Sequence, residues 1–133
     1  MKKGFFIDIE NETLKNKNFR KVLYTAKNSQ IVLMSLKPNE EIGEEIHEEN
    51  DQFFRFEKGK GKVIIDENEY NVKDGSAILV PAGSKHNVIN LSKKEELKFY
   101  TIYCPPHHKD RIIRKTKKEA IENEEEFDGK TTE

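Results

Sequence analysis

Among 133 residues there is one cysteine, no tryptophan and four prolines. The lone Cys104 rules out a disulfide within the chain, which fits a reducing compartment. No apolar run approaches the roughly 20 residues that a membrane-crossing helix needs. The opening "MKKGFFIDIE" has two lysines and a short apolar patch, but Asp8 interrupts it before it reaches the length of a signal-peptide core. The expectation is a cytoplasmic protein without a membrane partner. An excess of either charge is also missing: Lys+Arg total 24 against Asp+Glu 25, for a net charge of -1. Without a basic field, nucleic acid is not expected as the partner. Hydrophobic residues make up only 34%. The core must therefore use its apolar positions efficiently, as strands do when every second residue points inward.

What is present reads as about ten short strands. Candidates are "GFFIDIE", "FRKVLYT", "QIVLMSLK", "EIHE", "QFFRFEK", "GKVIID", "EYNVK", "SAILVP", "HNVINLS" and "LKFYTIY". Turn signals separate them: Lys27-Asn28-Ser29, Pro38-Asn39, Glu67-Asn68 and Asp74-Gly75. Many short strands at this spacing indicate an all-β sandwich or barrel. After Pro105-Pro106 the segment "HHKDRIIRK" reads as irregular. Thr116 followed by Glu119 forms a capping box for a short surface helix, and "DGKTTE" reads as a frayed tail. These readings divide the chain into N-terminal strands over 1–30, a barrel over 31–104, and a C-terminal loop, helix and tail over 105–133. The N-terminal strands are expected to extend the sheet and to pair across a two-fold homodimer.

Seven acidic residues surround His47 between Glu40 and Asp51. In a strand, residues two apart share a face, so Glu45 and His47 point the same way. Gln52 shares its face with Phe54 and Phe56. An inward glutamine needs a partner, because an unpaired buried polar group costs on the order of 1–3 kcal/mol. A metal, a ligand or a trapped water would satisfy it. Tyr103 shares its face with Phe99 and Thr101, so it is the tyrosine of its strand that can face a cavity. His107 and His108 follow the last strand, where a lid over the pocket and an exposed loop are both open readings.

The stretch "GSAILVPAGSKHNVIN", Gly75 to Asn90, has anchors at Gly75, Pro81, Gly83, His86 and Asn90. This pattern resembles the second motif of the cupin superfamily at every anchor. The first cupin motif, aligned on Gly59, then falls on Asn39, Glu45, His47 and Gln52. Three positions depart from it: Glu45 stands for a histidine, Gln52 for the glutamate and Asn39 for a glycine. The combination with "KFYTIYCPPHHKD" is similar to small bacterial single-domain cupins described as mannose-6-phosphate isomerase-like.

The resemblance implies an all-β, double-stranded β-helix (a jelly-roll barrel), here with a short C-terminal surface helix. It also implies a divalent metal ion (Mn, Fe, Zn or Ni) held by Glu45, His47, Gln52 and His86. Two imidazoles, one carboxylate and one amide keep the formal charge of the usual set while moving its carboxylate. Phe54, Phe56, Asn90 and Tyr103 are expected to line the pocket. Two functions follow as expectations. One is metal-dependent isomerase-, lyase- or dioxygenase-type chemistry on a small polar metabolite such as a sugar or sugar acid. The alternative is a non-enzymatic small-molecule-binding module whose metal site is degenerate or absent.

Overall fold

Alternation of inward and outward side chains builds two antiparallel sheets in the computed structural model, which describes residues 1–133. In chain order the elements are α1 (Ile9–Lys15), β1 (Arg20–Thr25), β2 (Gln30–Leu36), β3 (Glu45–Ile46), β4 (Asp51–Lys58), β5 (Lys60–Ile65), β6 (Asn68–Lys73), β7 (Ala77–Val80), β8 (Lys85–Asn90), β9 (Leu97–Cys104), β10 (Ile113–Arg114) and α2 (Lys117–Glu122). One sheet has the order β10-β1-β2-β9-β4-β7 and the other β3-β8-β5-β6. The expected all-β barrel with a short C-terminal helix is the observed architecture.

The core lies between the sheets. On β4, Gln52, Phe54 and Phe56 point inward, and on β9 Leu97, Phe99, Thr101 and Tyr103 do. The rings of Phe54, Phe56 and Phe99 form one cluster, with centroids 5.0 to 6.3 Å apart. Val63, Val80, Val88 and Leu36 complete it. Fully burying side chains of this size contributes about 1.5–3 kcal/mol each. At Gly59, φ is +95°, and a Cβ would lie 2.6 Å from the Glu96 carbonyl oxygen. The turn between β4 and β5 therefore requires a residue with no side chain.

Four expectations are corrected. "GFFIDIE" is not a strand; α1 begins inside it, because the Asp8 carboxylate accepts from the Asn11 N–H and Glu10 and Glu12 occupy the first turn. The β5–β6 hairpin turns at Asp66-Glu67, one residue early, since Ile65 pairs with Asn68 and Asp66 takes the left-handed conformation. The segment read as irregular contributes β10, an edge strand on β1. The tail is docked, not frayed. Thr25 N–H donates to Thr132 Oγ1 at 2.8 Å, and Thr132 N–H donates to the Thr25 carbonyl at 2.9 Å. The capping box at Thr116 forms as expected, its Oγ1 accepting from the Glu119 N–H.

Candidate functional site

Both sheets supply side chains to one end of the barrel. Glu45 on β3 lies directly opposite His86 on β8 in the antiparallel register, so the two share a face. His47 follows one residue after β3. On the other sheet, Gln52 of β4 lies opposite Tyr103 of β9. The four residues that the sequence grouped as a ligand set are thus brought together at one end of the barrel.

The rings of His47 and His86 have centroids 5.3 Å apart, and Glu45 Oε2 is 3.6 Å from His47 Nε2. That separation is too long for a hydrogen bond. His47 is also neutral there, its pKa lowered to about 3 by burial and by the neighbouring His107. His86 Nδ1 is 3.0 Å from the Ser84 carbonyl oxygen. A carbonyl only accepts, so Nδ1 carries the proton and Nε2 the free lone pair. Gln52 donates its amide N–H to Thr101 Oγ1 at 3.0 Å, which leaves its carbonyl oxygen free. The outcome is three buried polar atoms without partners: His47 Nε2, His86 Nε2 and Gln52 Oε1. Burial also raises the Glu45 carboxyl pKa, against the opposing pull of Arg20.

Unpaired imidazole nitrogens beside a carboxylate and an amide oxygen are the donor chemistry of a divalent first-row metal. With metal–nitrogen bonds of about 2.1 Å, two rings 5.3 Å apart can reach one ion. The His, Cys, Asp and Glu side chains alone form no group of three in metal-holding geometry. The amide oxygen of Gln52, or a turn of the Glu45 side chain, is needed to complete a set.

The residues expected to line the pocket differ in what they touch. The Phe54 ring is edge-on to His86 at 6.4 Å and the Tyr103 ring lies 5.6 Å from that of His47, and both are buried. Phe56 is corrected: it is as buried as Phe54 but packs on Phe54 and Phe99 in the core rather than on a histidine of the site. Asn90 is also corrected. Its amide nitrogen lies within reach of the carbonyls of Leu36, Lys37 and Glu95, and its oxygen accepts from the Ser92 N–H. It has nothing left for a ligand, and it sits four residues along β8 from His86, about 13 Å away at strand spacing.

The segment after β9 completes the site. His108 is buried, with Nε2 3.3 Å from the Tyr103 hydroxyl. The His107 ring lies 4.3 Å from the His47 ring and stacks on Tyr103 at 5.2 Å. Burial, with help from Arg20, lowers the pKa of both histidines. Burial also raises the Tyr103 pKa, so its hydroxyl stays protonated. The clamp that sets this segment is Gln30. Its amide oxygen accepts from the backbone N–H of His107 and of His108, and its amide nitrogen donates to the His108 carbonyl. Of the two readings the sequence left open, the exposed loop does not hold: His108 is buried and the His107 ring packs on His47 and Tyr103. His107 borders a cleft of about 430 Å3 outside His47 and a smaller one of about 90 Å3 beside Glu45 and Arg20.

The sequence pattern of the cupin domain matches residues 32–103, more than half of the chain. The chain belongs to the cupin family. This cupin is 43% identical over 129 residues to the uncharacterized protein YrkC of Bacillus subtilis, across 92% of this chain and 69% of YrkC. It is also 43% identical over 107 residues to the uncharacterized protein L612 of Acanthamoeba polyphaga mimivirus, across 78% of this chain and 67% of that one. The crystal structure of BH2720 from Bacillus halodurans superimposes on the cupin with a TM-score of 0.87 at 41% identity, covering 90% of this chain and 94% of that one. A predicted oxalate decarboxylase from Thermotoga maritima shares the fold at 20% identity and a TM-score of 0.56.

Proposed function

We propose that this cupin holds a divalent metal ion through Glu45, His47 and His86, with Gln52 as a further oxygen donor, and acts on a small polar metabolite. The observation that carries the reading is the convergence of unpartnered His47 Nε2, His86 Nε2 and Gln52 Oε1 in a buried space. Each would cost on the order of 1–3 kcal/mol if nothing met it. A bound ion would supply Lewis-acid polarisation of a substrate carbonyl or hydroxyl oxygen. The chain's own groups serve the proton steps of an isomerase-, lyase- or dioxygenase-type reaction. Tyr103 keeps its hydroxyl proton and can donate a hydrogen bond into the barrel. Neutral His107, whose ring makes no hydrogen bond within the chain, can accept a proton at the mouth.

Metal analysis of freshly purified and reconstituted protein tests this, with Glu45→Ala and His47→Ala as controls. Stoichiometric metal that both substitutions remove is the expected result. Protein that takes up no divalent ion on reconstitution sinks the proposal. The lack of a three-residue His/Asp/Glu/Cys set favours a second reading, a metal-free module that binds a metabolite by hydrogen bonds. Metabolite binding without metal or turnover distinguishes it. The same reading makes the protein a cytoplasmic homodimer, and sedimentation as a monomer at micromolar concentration would contradict the dimer.

A further inference from the structure

Directly paired residues of neighbouring strands share a face, so the outward positions of the six-stranded sheet form rows across it. One row is apolar on every strand it crosses. Tyr24 pairs with Ile31, Ile31 with Ile102, Ile102 with Phe53, and Phe53 with Leu79. The solvent side of an antiparallel sheet is ordinarily polar. Here Leu79, on the edge strand β7, is 61% exposed, and Ile31, Ile102 and Phe53 are half-buried. Tyr100 widens the patch on one side of the row, its ring 6.5 Å from that of Phe53.

Two margins of this outer face are already covered. Phe5 stacks on Tyr24 at 4.9 Å and closes the row at β1. Farther along the strands α1 lies on the sheet, where the Asn16 carbonyl at its C-terminus accepts from the buried Lys98 ammonium. The open part is the middle of the row, on β2, β9, β4 and β7, with one row on either side. On these four strands the flanking outward positions carry two charges, Asp51 and Arg55, of opposite sign and on either side of Phe53. Asp51 Oδ1 accepts from the Ala82 N–H, and Arg55 Nε lies 3.0 Å from Glu57 Oε1. Asp51 Oδ2 and the terminal nitrogens of Arg55 are left free.

This pattern is self-complementary, as a two-fold interface must be. An axis along the apolar row lays the row on its own copy and reverses the strand direction. Asp51 of one copy then falls opposite Arg55 of the other, and the same contact is made twice. An axis along the strands would set Arg55 against an uncharged residue or against itself. Two opposite charges flanking an apolar centre thus select both the occupant and its orientation.

We propose that this face is the interface between two copies of the chain, packed row on row about a two-fold axis along Ile31, Ile102, Phe53 and Leu79, with Asp51 of each copy opposite Arg55 of the other. The proposal rests on the homodimer reading and moves the contact from the N-terminal strands expected from sequence to the centre of the sheet. The inner sides of β4 and β9 carry Gln52 and Tyr103, so the contact backs the strands that build the site.

Sedimentation of the full chain at micromolar concentration tests this, with a melting curve for every variant. The wild type should sediment as a dimer. Leu79→Lys changes an exposed side chain, sets like charges against each other across the axis and should weaken the dimer at least about tenfold. Asp51→Arg and Arg55→Asp each create two like-charge contacts and should weaken it on the same scale, whereas the double variant D51R/R55D should recover the dimer. Where a reversal lowers the melting temperature, D51N or R55Q removes the charge instead, with a loss of about threefold expected, the scale of two exposed ion pairs.

A wild-type monomer overturns both this inference and the homodimer reading, and leaves the face to a different partner. A dimer that survives Leu79→Lys overturns the interface alone, because the contact then lies elsewhere. So does a double variant no tighter than either single one.

Discussion

The Gln52 amide nitrogen is held 3.0 Å from Thr101 Oγ1, diagonally across β4 and β9, so the amide oxygen faces the barrel end where Glu45, His47 and His86 meet. A neutral oxygen sits where the cupin pattern has a carboxylate, and the carboxylate has moved to Glu45. This exchange matters because the Gln52 position is buried while Glu45 is partly open to the clefts beside it, so the carboxylate has moved toward water.

Gln52→Glu restores that second carboxylate. In chelator-treated protein the added buried charge should lower stability by about 1–3 kcal/mol. A divalent ion should offset the loss and raise the melting temperature of the variant more than that of the wild type. Differential scanning fluorimetry with and without manganese reads both, and equal shifts in the two proteins would contradict the placement of Gln52 beside the ion.

Stability of the metal-free protein should fall as the pH drops from about 7.5 toward 5. His47 has a folded-state pKa of about 3 against an ordinary value of 6.5, and His107 and His108 are lowered too. A depressed folded pKa gives full stability above the unfolded pKa and loses it as the pH falls toward the folded one. His47 alone sets a slope of up to about 1.4 kcal/mol per pH unit below 6.5. Burial raises the pKa of Glu45 and of Glu57, which opposes this trend, nearer the carboxylate range. Urea denaturation at pH 7.5, 6.5 and 5.5 measures the slope, and a flat profile would count against neutral buried histidines.

Asn90→Ala should cost about 2–4 kcal/mol while leaving metal uptake unchanged. The substitution strips a hydrogen-bond donor from the carbonyls of Leu36, Lys37 and Glu95 and an acceptor from the Ser92 N–H in a buried turn. Loss of metal with unchanged stability would reverse the roles assigned here.

Gly59→Ala should destabilise more than Gly83→Ala. Both residues have positive φ, but a Cβ at Gly59 would be 2.6 Å from backbone, whereas at Gly83 it would meet only Glu48 Oε2 at 3.6 Å. The backbone strain is of order 1–3 kcal/mol at either position, and the clash adds to it only at Gly59. Paired melting curves settle the order.

The second cupin motif was legible because its parts are local: Gly75 turns the chain, Gly83 turns it again, and His86 faces inward on β8. Glu45, His47 and Gln52 were set beside it by the resemblance of their spacing to the first cupin motif, counted back from Gly59, and strand periodicity added that Gln52 points inward with Phe54 and Phe56. The inward position of Asn90 was legible, but not its function, because its partners come from residues 36, 37 and 95. His107 was ambiguous for the same reason: Gln30 fixes it from 77 residues away. At the N-terminus, Phe5, Phe6 and Ile7 look apolar enough for a strand, yet Asp8 starts a helix two residues later, and local capping decided the outcome.

His107 and His108 are consecutive residues held by one glutamine, the first against the entrance and the second against Tyr103. Gln30 ties the two backbones together while leaving the His107 ring free to turn. A guest that only rotates that ring leaves His108 in place, whereas one that displaces the backbone also disturbs the contact between His108 and the Tyr103 hydroxyl.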